Sequence, residues 1–118
     1  MKQFKRSDRV GEQALRTISR TMETELAEHF SGMVTFTHVR LSADLRYATV
    51  YYSFLGKEDD RKSVAEFFLR ENGRIRHKLG ANLRIRHIPE LTFKYDPSIE
   101  EGMRIERLLN EIKSDKQE

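Results

Sequence analysis

The chain has 118 residues, 37% of them hydrophobic and 35% charged, with a net charge of +3 and no cysteine. These values exclude a disulfide scaffold and a thiolate metal site, and the regular spacing of Phe, Leu, Ile and Val argues against a disordered chain. No stretch is long and apolar enough to span a bilayer, and the basic start Met1-Lys2-Gln3-Phe4-Lys5-Arg6 runs into polar residues rather than an apolar signal core, so a cytoplasmic domain with no membrane partner is expected.

Val10, Ala14, Ile18, Met22 and Leu26 recur every four residues and predict a first helix, with Ser7 or Asp8 as its cap and Ser31-Gly32 as its end. From Met33 to Leu41 the period drops to two, which predicts a strand. A second strand, Leu45 to Phe54, follows the polar turn Ser42-Ala43-Asp44 and closes an antiparallel hairpin. Val64, Phe67, Phe68, Ile75 and Leu79 then form a second helical face. Its start lies at the capping-box spacing Ser63 to Glu66 or earlier, among the acidic residues. Asn72-Gly73 interrupts that face and predicts a kink, with a short helix from Arg74 to Leu79 ending at Gly80. Alternation from Leu83 to Asp96 predicts a long strand, bulged or at an edge around Pro89. A last helix starts at Asp96-Pro97-Ser98 with Ser98 as cap, and Ile99, Met103, Ile105, Leu108, Leu109 and Ile112 form its inner face. The whole is an α+β domain over residues 4–113, with the last helix packed on the sheet and a polar, frayed tail at 114–118.

Charge is unevenly placed. Residues 1–20 hold six bases and two acids, residues 74–96 likewise, and residues 97–118 hold four bases and six acids, giving +4, +4 and −2. Two basic blocks in a small domain suit a polyanionic partner. The best-defined constellation is Asn72-Gly73-Arg74-Ile75-Arg76-His77-Lys78-Leu79, where a flexible glycine precedes a helix start whose free N–H groups favour a phosphate. Arg74, Arg76 and Lys78 splay around the surface beside Ile75 and Leu79, and Arg84 and Arg86 share one face of the following strand. Arg6 and Arg9 extend the basic surface at the N-terminus. The same residues also fit a solvated helix face; the coincidence of kink and charge excess favours RNA contact.

Other chemistry is weaker. The histidines His29, His38, His77 and His87 form no metal-binding spacing, and no nucleophile elbow, P-loop or dinucleotide fingerprint occurs, so neither an enzyme nor a metal, cofactor or small-molecule site is expected. Asp59-Asp60 and Glu100-Glu101 are explained as acids at helix starts. Tyr47 and Tyr51 share a strand face and suit base stacking, but cross-strand packing is the stronger explanation of them.

Several stretches, taken in order, carry a resemblance to a known family. They are Arg9-Val10; Val39-Arg40-Leu41-Ser42-Ala43-Asp44-Leu45-Arg46-Tyr47-Ala48-Thr49-Val50-Tyr51; Gly73-Arg74-Ile75-Arg76 with Leu79; Leu83-Arg84-Ile85-Arg86 with Pro89-Glu90-Leu91-Thr92-Phe93 and Asp96; and Gly102-Met103-Arg104-Ile105. The chain resembles the bacterial ribosome-binding factor A family along nearly its whole length. The resemblance implies a type II KH-like fold, helix–strand–strand–helix–kink–helix–strand plus a C-terminal helix on a three-stranded sheet. It also implies a monomeric, non-enzymatic assembly factor that binds the free 30S subunit at 16S ribosomal RNA and supports late maturation, 5′-end processing and growth in the cold. The chain lacks the G-x-x-G loop of typical KH domains and carries Glu71-Asn72-Gly73 where the family usually has Ala-x-Gly, which points to recognition of a folded RNA surface. An alternative reading is a protein–protein adaptor of the same shape whose basic face meets an acidic partner.

Overall fold

The computed structural model describes residues 5–116, in which the two sequence periods resolve into four helices and three strands. Helix α1 (Arg6–His29) buries Val10, Ala14, Ile18, Met22 and Leu26, the four-residue repeat of the sequence. Its cap position falls two or three residues before the predicted caps: Lys5 precedes it with no side-chain cap, so Ser7 and Asp8 lie inside the first turn. There Asp8 offsets the positive end of the helix dipole. At Gly11 a Cβ would lie 2.8 Å from the Val39 carbonyl oxygen, so α1 rests on the backbone of the first strand at that point.

Strand β1 (Met33–Leu41) pairs antiparallel with β2 (Tyr47–Leu55), with a bulge between Phe36 and His38. Strand β3 (Glu90–Tyr95) joins the other side of β2 in parallel, which requires a crossover; helices α2 (Glu58–Arg70) and α3 (Asn72–Asn82) supply it. Glu58, Asp59 and Asp60 occupy the first turn of α2, so the acidic start holds rather than the Ser63 capping box. The core lies on one face of the sheet. Val39, Val50, Ala48, Tyr52 and Leu91 meet Ile18 and Met22 of α1, Val64, Phe67 and Phe68 of α2, and Ile75 and Leu79 of α3. Phe68 stacks on Phe93 at 4.3 Å and meets Tyr52 edge-on at 4.8 Å, which joins the crossover to two strands. Element order and topology are those of the expected type II KH-like α+β fold.

Three expectations need correction. The third strand is Glu90–Tyr95, not Leu83–Asp96, so Arg84 and Arg86 lie on an irregular segment. The reason is the length of its partner. Tyr47, the first residue of β2, pairs with Glu90, and residues before Glu90 have no strand to pair with. The second correction concerns Gly80, which does not end the helix; α3 continues to Asn82. A Cβ at Gly80 would come within 2.1 Å of Ile88, so the glycine admits the irregular segment against the helix. Third, helix α4 (Ser98–Lys116) does not pack on the sheet: Met103, Ile105, Leu108, Leu109 and Ile112 are about half exposed. The apolar face of the sheet is already covered by α1, α2 and α3, and the other face carries Thr49, Tyr51, Thr92 and Lys94, against which an apolar helix stripe gains little. Ser98 is itself helical, and the Asp96 carboxylate accepts its N–H at 3.0 Å. The helix also runs into the predicted tail, as far as Lys116; Gln117, Glu118 and the predicted domain start at Phe4 lie outside the described residues.

Candidate nucleic-acid interface

The sequence places a phosphate site at the start of α3. The structure gives that region other work. The break falls at Glu71 (φ −97°, ψ 9°), and no described glycine has a positive φ. The helical thread passes through it: Glu71 N–H donates to the Phe67 carbonyl at 2.8 Å, and Ile75 N–H to the Glu71 carbonyl at 2.9 Å. Gly73 is helical, and a Cβ there would meet nothing within 4 Å. Gly73→Ala is therefore expected to raise unfolding free energy by roughly 0.5–1 kcal/mol, because alanine is the better helix former and restricts the unfolded chain. Urea unfolding measures this; a loss of stability would contradict a helical Gly73.

Three of the predicted contacts have partners within the chain, although Arg74 stays exposed. The Asn72 side-chain amide donates to the Leu91 carbonyl at 3.0 Å, which ties α3 to β3. The Arg74 guanidinium meets both carboxylate oxygens of Glu25 on α1, each at 2.8 Å, and its Nε donates to Glu71 at 2.9 Å. This fork holds the Glu25 carboxyl below its ordinary range, the hydrogen bond from Arg74 being the main cause, and pushes the Arg74 guanidinium up. Glu71 thus stands beside the start of α3 as a partner of Arg74, and its side chain makes no cap hydrogen bond to the helix. Arg76 donates through Nε to the Pro89 carbonyl at 2.9 Å and through Nη2 to the Ile88 carbonyl at 2.7 Å. Those carbonyls have no strand partner, and the guanidinium satisfies them instead. Lys78 is half-buried.

The fold brings the exposed bases together elsewhere. Arg9, Arg16 and Arg20 are spaced by seven and four residues, which puts them on one stripe of α1, and all are exposed. Arg16 and Arg20 face Arg84 across a shallow cleft of about 350 Å³ between α1 and the end of α3. A larger cleft of about 640 Å³ opens beside it, at the end of the sheet, where Arg6, Arg46, Arg76 and Arg86 surround Ile85, with His87 on the wall. Four guanidiniums there oppose two carboxylates, Asp44 and Glu90. The structure therefore brings Arg6, Arg84 and Arg86 of the predicted set to these clefts, with Arg76 on the wall of the larger one and Arg9 on the same stripe of α1, and adds Arg16, Arg20 and Arg46; Asn72 and Arg74 lie apart from both clefts, bonded to Leu91 and to Glu25 and Glu71.

Arg46 carried no signal in the sequence pattern. It is placed by a strained turn: Leu45 has φ 62°, which costs a non-glycine residue about 1–2 kcal/mol. Local bonds enforce the strain. Ser42 Oγ donates to Asp44 Oδ1 at 2.6 Å, Arg46 N–H donates to the same oxygen at 3.1 Å, and Leu45 N–H donates to the Ser42 carbonyl at 2.9 Å. The Ser42 hydroxyl, and then the Arg46 N–H, hold the Asp44 carboxyl below its usual range. The Arg46 carbonyl accepts Glu90 N–H at 2.8 Å, which fixes the turn to β3. Among the described residues no group of His, Asp and Glu is arranged to hold a metal ion, and no helix is long and apolar enough to cross a membrane.

Comparison with known proteins assigns this architecture. The family model for ribosome-binding factor A matches residues 6–109. The chain belongs to the ribosome-binding factor A family. A Geobacter metallireducens ribosome-binding factor A is 42% identical over 112 residues, covering 95% of this chain and 95% of that protein. A Thermotoga maritima ribosome binding factor A, solved in solution by NMR, is 33% identical with a TM-score of 0.64, over 80% of this chain and 90% of that one. A homology model of the Thermus thermophilus factor, fitted into a cryo-EM map of a 30S complex, has a TM-score of 0.65 at 22% identity, over 77% of this chain and 96% of that one. In this chain the two arginine clefts are formed by α1, the turn before β2 and the segment before β3, while Arg74 at the break between α2 and α3 is paired with Glu25 and Glu71.

Proposed function

We propose that this chain is a ribosome-assembly factor that binds the free small subunit through 16S ribosomal RNA and supports late maturation, including processing of the 5′ end. It acts in the cytoplasm as a single chain, by binding and without a catalytic step of its own. The observation that carries the reading is the convergence of Arg6, Arg16, Arg20, Arg46, Arg84 and Arg86 on two adjacent clefts of a ribosome-binding factor A fold. Guanidiniums on a rigid helix and an anchored turn recognise phosphates at fixed spacing, which suits a folded RNA surface. The Thermus relative described in a 30S complex supports the choice of subunit.

Sedimentation of lysate through a sucrose gradient tests the proposal. The protein is expected in the free small-subunit fractions, since an assembly factor departs before the mature surface is used. An even distribution through the polysomes would instead mark a general RNA binder, and retention of a large partner after nuclease treatment would mark a protein adaptor.

A further inference from the structure

The three helices of the core cover one face of the sheet and leave the other open. Strand register states what stands on that open face. His38, Tyr51 and Lys94 form one row across the three strands; Arg40, Thr49 and Thr92 form the next; Tyr47 and Glu90 form the third. The alternate rows, such as Val39, Val50 and Phe93, point into the core. Tyr47 is 58% exposed, and the rings of His38 and Tyr51 lie 6.0 Å apart, inclined by 31°. His38, Arg40 and Lys94 are also exposed, among the described residues.

Cross-strand packing alone leaves this arrangement under-explained. Tyr47 is paired with Glu90 and so has no aromatic or branched neighbour in its own row. Tyr47 and Tyr51 are four residues apart on one strand, roughly 13 Å at a rise of about 3.3 Å per residue. Arg40 stands in the row between them, and Lys94 beside Tyr51. An unstacked nucleic-acid strand offers bases to rings and phosphates to cations in that alternation. The carboxylates near this face are Glu90 and Asp96, and both oxygens of Asp96 are already taken, by the Ser98 N–H and the Thr37 hydroxyl.

We infer that the open face of the sheet is a second binding surface, for single-stranded RNA, on which unpaired bases stack on Tyr47 and Tyr51 while Arg40 and Lys94 hold the phosphates between them. This rests on the reading of the chain as an RNA-binding factor; the face adjoins the larger arginine cleft, whose wall Tyr47 and Glu90 share, and is separate from the cleft of Arg16, Arg20 and Arg84. It gives the factor a grip on an unpaired segment next to the folded RNA that those clefts hold.

The test uses the full chain and a fluorescently labelled oligouridylate of about ten nucleotides, titrated by anisotropy at fixed salt. The double variant Tyr47→Ala, Tyr51→Ala is expected to weaken binding about tenfold or more per ring, whereas Tyr47→Phe with Tyr51→Phe keeps it, because stacking needs the ring and not the hydroxyl. Since the chain has four tyrosines and no tryptophan, oligouridylate is also expected to quench the tyrosine emission of the parent. Arg40→Gln with Lys94→Gln, at two exposed positions, is a second route that leaves the aromatic packing intact and is expected to weaken binding severalfold. Parent-like affinity in both the alanine and the glutamine double variants, with no quenching, would overturn the inference. Arg16→Glu with Arg20→Glu serves as the comparison. If it abolishes small-subunit binding while oligouridylate binding still depends on the tyrosines, the two surfaces are separate, as inferred. If the tyrosine variants bind oligouridylate normally while subunit binding still depends on the arginines, only the open face is refuted.

Discussion

Reversing the charge at Arg16, Arg20 and Arg84 together is expected to lower affinity for purified small subunits on the order of a hundredfold at near-physiological salt. These side chains are exposed and line one cleft, so the substitutions cost little folding energy. Each phosphate contact that is lost also removes its share of counterion release. The slope of log affinity against log salt should therefore become shallower by about 2 to 3 in the triple variant. The counterpart is Arg74→Gln. Its guanidinium is already shared between Glu25 and Glu71, so it is expected to change thermal stability and to leave the salt slope nearly unaltered. The two measurements separate a phosphate contact from an internal ion pair. An unchanged salt slope in the triple variant, or a slope that responds to Arg74→Gln instead, would return the interface to the break between α2 and α3.

The core and the interface differ in how much of them could be read in advance, and particular residues show why. The faces of α1 and α2 follow from Val10, Ala14, Ile18 and Met22 and from Val64, Phe67 and Phe68, because burial imposes the helical period directly on the sequence. Strands β1 and β2 follow for the same reason. Where partners are decided by distance in space, the pattern misleads. Leu83, Ile85 and His87 alternate as a strand would, yet nothing lies beside them to pair with, and Arg76 takes the carbonyls of Ile88 and Pro89. The face of α4 has a helical period and forms a helix, but period says nothing about whether a surface is left for it to cover. Charge blocks pointed to Arg6, Arg9, Arg84 and Arg86, which the fold leaves exposed. They could not tell a free arginine from one facing a glutamate 49 residues away, as Arg74 faces Glu25. Arg46 depends on the positive φ of its neighbour Leu45, for which a leucine gives no warning.

Phe68→Ala is expected to destabilise the fold by about 3–5 kcal/mol, while Leu69→Ala, one residue along, changes stability by no more than about 0.5 kcal/mol. The two side chains are both large and apolar and differ in where the helix points them. Phe68 is 1% exposed and Leu69 80% exposed. Removing the Phe68 ring empties a position that contacts Phe93 in parallel stacking at 4.3 Å, Tyr52 at 4.8 Å and Phe36 at 5.8 Å, so β1, β2 and β3 all lose a packing partner at once. A domain of this size has about 5–15 kcal/mol of stability in total, so the loss leaves a folded but much weakened protein or unfolds it outright. Chemical denaturation gives the free energies, and the unchanged m-value of a two-state transition would show that the same surface is still exposed on unfolding. The consequence for function follows from where β3 sits. Its first residue, Glu90, is bonded to the Arg46 turn, so loosening the sheet under Phe93 also loosens the wall of the larger arginine cleft. Subunit affinity of Phe68→Ala should thus fall even at temperatures where circular dichroism shows it folded, whereas Leu69→Ala binds as the parent does. Equal stability of the two variants would mean that the aromatic cluster is not the joint between the crossover helices and the sheet.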